Sequence, residues 1–264
     1  MILSIELLAV LCIGVFPYLL AILFWKQVEK NLDQNQTLQT AIKIIQSLGA
    51  LSVVTYIALQ QQNGLKAVGI DFSRTDELLG GIVAFSFFIL LYALGHRLLV
   101  RKKPNVDCSR YDVKQMLLSR TPLQRIFHII SLVLAVLAEE IIFRGYFLLL
   151  WGNRIDALIL CAIISSVLFV ILHLYQGKRV IVYHILFATL LATITISTGS
   201  IMLAIGTHLY GNLLIQIKLW ILQAKGKIAE PSETENPPPS ETLEPLHITP
   251  RTHLPVERNP NQTE

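Results

Sequence analysis

Three ionisable residues lie within an otherwise apolar stretch of this 264-residue chain. Residues 135–150 read AVLAEEIIFRGYFLLL, so aliphatic and aromatic side chains flank Glu139, Glu140 and Arg144. Because hydrocarbon solvates charge poorly, an ionisable residue in such a segment is expected to have a function and a partner. A carboxylate in this setting suits general-base chemistry, in which it takes a proton from a reacting water.

Helical geometry separates the two carboxylates. Glu140 and Arg144 are four residues apart, so they share a helix face and can pair, which predicts a mainly architectural brace. Glu139 points about 100° away from that face. Its neighbours at a spacing of four are Ala135 and Phe143, neither of which can pair with it. Glu139 is therefore expected to be protonated or to have a partner on another helix.

Two later apolar segments offer such partners. Phe169 and His173 are four residues apart, as are His208 and Asn212, so each pair can face a shared interior. Taken singly, a membrane histidine or asparagine often only joins helices by a hydrogen bond, and Phe169 suits a pocket wall. Together, a carboxylate, two imidazoles and a carboxamide on three helices predict a polar pocket inside a helix bundle.

Three further histidines carry less signal. His184 has no matching polar residue four positions away and is predicted to be structural. His96 and His128 fall near the ends of predicted spans, where we expect them to be solvated.

The elements that must position these residues are apolar helices. Hydrophobic residues make up 53% of the chain and charged residues 15%. Runs near 20 uncharged residues are long enough to cross a hydrocarbon core of about 30 Å. The sequence predicts an all-α, polytopic transmembrane helix bundle with about seven spans, at about residues 2–25, 41–60, 78–98, 126–150, 156–175, 179–197 and 201–223.

The basic residues predict an orientation in the membrane. They are densest between Arg97 and Arg125, which the positive-inside rule places in the cytoplasm. Alternation of the spans then puts the N-terminus outside and the C-terminus in the cytoplasm. The positive charge favours contact with anionic membrane lipid and not with nucleic acid. We expect a multi-pass protein of the bacterial inner membrane, since no organelle-targeting signal is evident.

The chain divides into two parts by composition. Residues 1–225 are predicted to form the transmembrane domain, with the motifs between about 120 and 222. Residues 226–264 are rich in proline and glutamate and are predicted to form a disordered cytoplasmic tail. Residues 111–120 read YDVKQMLLSR, which fits either a short amphipathic surface helix or a solvated linker.

The three motifs in this order resemble one family. Glu-Glu-x-x-x-Arg at 139–144, Phe-x-x-x-His at 169–173 and His-x-x-x-Asn at 208–212 are similar to the CAAX prenyl protease and bacteriocin-processing (CPBP, Abi) family of intramembrane proteases. The FRGY context at 143–146 and the run TGSIMLAIGTHLYGN at 198–212 add to the likeness. The resemblance implies an all-helical membrane fold and a glutamate-dependent endopeptidase.

The same resemblance implies roles for individual residues. Glu139 and His173 would hold and activate a water, while His208 and Asn212 would stabilise the oxyanion formed when that water attacks a peptide carbonyl. Glu140, Arg144 and Phe169 would support the site.

A cofactor is not expected, although a divalent metal stays open. Glu139, His173 and His208 would be a plausible zinc set. Against zinc, the sequence lacks His-Glu-x-x-His, and asparagine is an uncommon zinc ligand.

Depth in the membrane poses a difficulty for this site. Seven simple spans put His173 near the cytoplasmic end of its helix and His208 nearer the outer end of its own. Tilted helices, extended helices or a re-entrant segment would reconcile the two positions.

The leading hypothesis is therefore an intramembrane endopeptidase that acts in CAAX-like or other maturation of membrane-associated peptides or proteins. One alternative is a non-catalytic immunity or scaffold protein of the same fold. Another is a proton-coupled transporter, since buried Glu, Arg and His also mark proton relays. The sequence has no repeated halves and no paired broken helices, which disfavours the transporter.

Overall fold

The computed structural model describes the chain over residues 2–16, 36–99, 121–174 and 181–225. Within these ranges the secondary structure is helical throughout, with short turns between helices and no strand. The all-α prediction is confirmed. The end of the first predicted span, the 111–120 segment and the 226–264 tail lie outside the described residues.

Seven helices run through the described ranges, and two of them change winding. They are α1 (Ile2–Val10, continued by a π-helix over Leu11–Val15), α2 (Gln36–Leu59), α3 (Asp76–Leu99), α4 (Pro122–Glu140, continued by a π-helix over Ile141–Trp151 and a last turn Gly152–Arg154), α5 (Leu158–Leu172), α6 (Ile181–Thr198) and α7 (Met202–Ala224). Two short 3₁₀ turns, Gly64–Val68 and Phe72–Arg74, lie between α2 and α3.

Four of these helices contain segments long and apolar enough to cross a membrane. The segments are Thr40–Leu59, Asp76–Leu94, Pro122–Arg154 and Ile181–Thr198. Many large aliphatic side chains, such as Leu79 and Val83 of α3, are exposed on the outside of the bundle. Such a surface suits hydrocarbon and not water. The prediction of a polytopic membrane helix bundle is confirmed.

Helix α4 lies at the centre of the bundle and carries the Glu-Glu motif. It begins with a capping box in which Thr121 accepts from the Gln124 backbone N–H and the Gln124 side chain accepts from the Thr121 N–H. Pro122 at the first helical position needs no hydrogen-bond partner there. From Ile141 the winding becomes π, and the residues from Ile141 to Leu150 are all buried. The helix therefore enters the core at the point where the two glutamates lie.

Helices α3 and α7 approach closely through glycine. A Cβ atom on Gly81 would collide with the backbone of Gly206 and Thr207, and one on Gly206 would collide with the Leu78 carbonyl. Small residues allow two membrane helices to make such backbone contact. This contact fixes α7 two residues before His208.

Helix α5 is shorter than the predicted span 156–175. Its 15 residues extend about 22 Å, while a hydrocarbon core is about 30 Å thick. A helix that starts at one interface thus ends about 8 Å short of the other. His173 is the C-cap of α5, so the short helix provides a way for it to lie at the depth of residues inside α7.

Candidate active site

A buried charged trio joins α4 to α7. The Oε1 atom of Glu140 accepts from an Arg144 NH1 at 3.2 Å and from His208 Nδ1 at 2.7 Å. Glu140 and Arg144 have no exposed surface, and His208 is almost fully buried. The structure contains the ion pair expected from the spacing, while the hydrogen bond to His208 was not predicted. Glu140 is thus the residue that ties the two motifs together.

This bond also orients the His208 imidazole. Because a carboxylate only accepts, the Nδ1 atom must carry the hydrogen. The opposite nitrogen, Nε2, then faces Glu139, whose Oε2 lies 3.8 Å away. That distance is too long for a hydrogen bond.

Glu139 differs from its neighbour in exposure and in pairing. Its side chain is 17% exposed, whereas that of Glu140 is 0% exposed. His208 of α7 lies just beyond hydrogen-bond distance of Glu139. Glu140 is therefore buried and bonded on one oxygen, whereas Glu139 is partly exposed and positioned to accept a proton.

Phe169 of α5 lies at the centre of the polar residues. The Arg144 guanidinium sits over its ring at 4.5 Å, a cation–π contact that adds to the Glu140 pair. The same ring lies 4.4 Å from the His173 ring and 5.8 Å from the His208 ring. Because both imidazoles contact one phenyl ring, His173 of α5 and His208 of α7 lie at the same level. Seven simple spans would have placed them at different depths.

His173 is oriented by the end of its own helix. Its Nδ1 donates to the Phe169 carbonyl at 2.7 Å, which satisfies one of the carbonyls left free at a helix C-terminus. The Nδ1 bond thus fixes the orientation of the ring. The side chain is only partly buried, as is that of Asn212.

Asn212 lies one turn after His208 on the same face of α7. Among the described residues its carboxamide makes no side-chain hydrogen bond, so the structure gives it no helix-joining partner there. Three of the predicted residues, Glu139, His173 and Asn212, are thus partly exposed, while Glu140, Arg144 and Phe169 are buried around them.

Sequence reasoning missed two rings supplied by α6. His184, which was predicted to be structural, has its ring 4.6 Å from that of His173. Phe187 lies 5.4 Å from the His208 ring. Residues three apart share a helix face, and this spacing of His184 and Phe187 was the available signal. The wall that α6 forms thus contacts both imidazoles.

Some polar atoms of the trio have no hydrogen-bond partner among the described residues. They are Glu140 Oε2, Arg144 Nε and Arg144 NH2. Buried groups of this kind are ordinarily hydrated. The centre of the bundle therefore calls for water beside the carboxylates.

The zinc alternative finds no support in the arrangement of side chains. Within the described residues, no group of three or more His, Cys, Asp or Glu side chains is placed to hold a metal ion. Glu139, His173 and His208 do not form such a group there. The expectation of a metal-free site stays a prediction.

Comparison with known proteins gives a family match. Residues 121–214 match the family model of the Type II CAAX prenyl endopeptidase Rce1-like proteins. The matched segment starts at the N-cap of α4 and includes every predicted site residue, and it confirms the resemblance found in the motifs. No curated protein and no solved structure matches the chain.

Proposed function

We propose that this chain, a CAAX-type intramembrane protease by its family match over residues 121–214, hydrolyses a peptide bond with a water activated by Glu139. The observation that carries the proposal is the contrast between adjacent carboxylates. Glu140 is fully buried and bonded to Arg144 and His208, while Glu139 is partly exposed and lies 3.8 Å from His208 Nε2. A general base needs an accessible lone pair, which only Glu139 offers.

The first step is attack of water on the peptide carbonyl. Glu139 takes a proton from the water, and His173, whose ring is held by the Phe169 carbonyl, positions the same water. The new oxygen–carbon bond converts the carbonyl oxygen into an oxyanion. Collapse of this intermediate breaks the carbon–nitrogen bond, and Glu139 passes its proton to the departing amine.

The oxyanion needs hydrogen-bond donors that are already in place. Asn212 can donate from its amide nitrogen, and His208 can donate from Nε2 when the ring carries both hydrogens. Glu140 accepts from Nδ1 at 2.7 Å, which holds the ring with Nε2 turned away from that bond. Glu140 and Arg144 hold the ring, and Phe169 packs between them and His173.

The substrate in this proposal is a membrane-associated peptide or protein, processed in CAAX-like or other maturation. The site lies among apolar helices whose outer surface suits lipid, so the substrate must approach within or beside the membrane. We further propose the bacterial inner membrane, with the N-terminus outside and the C-terminus in the cytoplasm.

The test is cleavage of candidate membrane peptides by the purified chain in liposomes. Glu139→Gln keeps the shape of the side chain and removes the base, so the rate should fall by about 10²–10⁴-fold. Asn212→Ala should cost about 10²–10³-fold. Thr195→Val is the matched control, because Thr195 is buried on α6 and donates to the Leu191 carbonyl of its own helix.

Three outcomes would contradict parts of the proposal. Cleavage that survives both Glu139→Gln and His173→Ala would exclude the proposed base. Loss of cleavage on treatment with a chelator, restored by zinc, would make the site metal-dependent. Proton-linked flux without any cleavage would favour the transporter.

A further inference from the structure

A second polar feature joins α4 and α7 on the Pro122 side of the site. His128 Nε2 and Gln216 Oε1 lie 3.1 Å apart across the two helices. His128 was predicted to be solvated at an interface, but it is half-buried and bonded to Gln216. Gln216 has no exposed surface, and its Nε2 atom has no hydrogen-bond partner among the described residues. A buried amide nitrogen with no partner for either of its two N–H groups requires an explanation in an apolar bundle.

The helical register connects this pair to the site. On α7, His208, Asn212 and Gln216 follow one another at intervals of four residues and so share one face. On α4, the same face as Glu139 carries the positions four, eight and eleven residues earlier. These positions hold only small or polar residues, namely Ala135, Ser131 and His128.

The positions that follow one another in this way on α4 and α7 therefore carry no large apolar side chain. Ser131 is almost fully buried, and Ala135 and Asn212 are partly exposed. Gln216 Oε1 contacts His128 of α4, so the nitrogen of the same amide group, Nε2, also lies between the two helices. Polar groups at membrane depth face the bundle interior or water, and an unmet buried donor is ordinarily hydrated.

We propose that these faces form a hydrated path that carries water between the Pro122 end of α4 and Glu139. The inference rests on the proposed function, since a hydrolase inside a membrane consumes one water per peptide bond. The path is about 16 Å long, the rise of the eleven helical residues from His128 to Glu139. Gln216 and His128 bind water at its far end, and Ser131 and Asn212 bind it along the way.

The test uses thiol reactivity, which does not depend on catalysis. Ser131→Cys and Ile130→Cys are made singly after the native Cys12, Cys108 and Cys161 are replaced, and both full-length proteins are placed in liposomes. The two positions differ little in depth, but Ile130 is exposed on the outside of the bundle, where lipid would cover it. Silver ion is the probe, because it is close to water in size and binds the thiolate that forms only where water is present.

Ser131→Cys should react with silver ion about a hundredfold faster than Ile130→Cys. Equal rates, or an inert Ser131→Cys, would overturn the path. If Ser131→Cys does not fold, Ala135→Cys takes its place with the same expected result. Glu139→Gln in the Ser131→Cys background separates the two proposals: it should abolish cleavage and leave the silver reaction unchanged. Persistent cleavage there would refute the Glu139 mechanism alone.

A kinetic arm tests whether the path supplies the reaction. Gln216→Leu has nearly the same volume and removes both polar atoms. It should lower kcat about tenfold with KM changed less than about twofold, because water supply affects turnover and not substrate binding. An unchanged kcat would show that hydrolytic water reaches Glu139 by another way.

Discussion

The same types of charged residue occur in two regions of this molecule under opposite conditions. In the bundle interior, Glu140 and Arg144 pair at 3.2 Å with no exposed surface on either side chain. In the end loop, defined as residues 60–75 between α2 and α3, Lys66 and Asp71 pair at 3.1 Å, with the lysine 67% exposed. The two N–O distances are alike, so any difference in what the pairs contribute to the free energy of unfolding comes from their surroundings.

Physical chemistry assigns the two pairs different roles. An exposed pair exchanges water for a partner at little net gain. A buried pair is removed from bulk solvent, so each member depends on the other, and replacing both by apolar groups is often harmless. A protein that keeps charges at such a position is expected to use them, here to hold His208 against Glu140.

The largest difference should follow removal of one cation from each region. Arg144→Met leaves Glu140 buried without its cation and should destabilise the fold by about 3–5 kcal/mol. Thermal unfolding in detergent, followed by circular dichroism, measures the effect. The double variant Glu140→Gln/Arg144→Met should recover part of that loss. An Arg144→Met protein as stable as the parent would mean that the buried pair is not interdependent.

Helix contact in the interior gives the next largest effect. Gly206→Ala places a methyl group against the Leu78 carbonyl, so α3 and α7 must separate, at a cost of about 1–3 kcal/mol. Because His208 lies two residues later, cleavage should fall as well. Gly80→Ala is the matched control, since its nearest neighbour is the flexible tip of Leu203 at 3.1 Å. Equal losses in stability from the two changes would contradict the close α3–α7 contact.

The end loop should respond far less. Lys66→Met removes the exposed cation and should change the free energy of unfolding by less than about 1 kcal/mol. The same unfolding assay measures this change. A salt titration is the control, because added salt screens the exposed pair and should abolish the remaining difference between Lys66→Met and the parent. A change as large as that of Arg144→Met would erase the distinction between the regions.

The smallest effect is a pH dependence confined to strongly acidic solution. The Ser73 hydroxyl and backbone N–H donate to Asp71, and with help from Lys66 they lower the Asp71 pKa from 3.8 to about 2. The stabilisation is thus present above about pH 4 and is lost as the pH falls toward 2. Asp71→Asn should remove the dependence of the thermal unfolding midpoint on pH between about pH 4 and pH 2, and nowhere else. A flattening near neutral pH would contradict this assignment.

Residues within one helix were predictable from the sequence. Helical period and hydropathy are enough to predict three features. They are the pairing of Glu140 with Arg144, the shared face of His208 and Asn212, and the bounds of α7, and the structure contains all three. The three motifs also carried the family resemblance, which the family match confirms.

Relations between helices were not predictable in the same way. The bond of His208 to Glu140, the contact of His184 with His173 and the early end of α5 depend on how far one helix slides and turns against another. Hydropathy defines which residues are buried but not which buried residues meet. The sequence therefore predicted candidate site residues and left the contacts between them open.

The change of winding after Glu140 affects how a scanning mutagenesis of α4 would look. Each turn of the π-helix from Ile141 to Trp151 takes up more residues than an α-turn, so successive side chains advance by a smaller angle. Sensitivity to substitution should oscillate with a 3.6-residue period from Pro122 to Glu140 and then fall out of phase. Deleting one residue within 141–151 would turn the Arg154 end relative to the glutamates, which would part Arg154 from its 2.8 Å contact with Glu6 of α1.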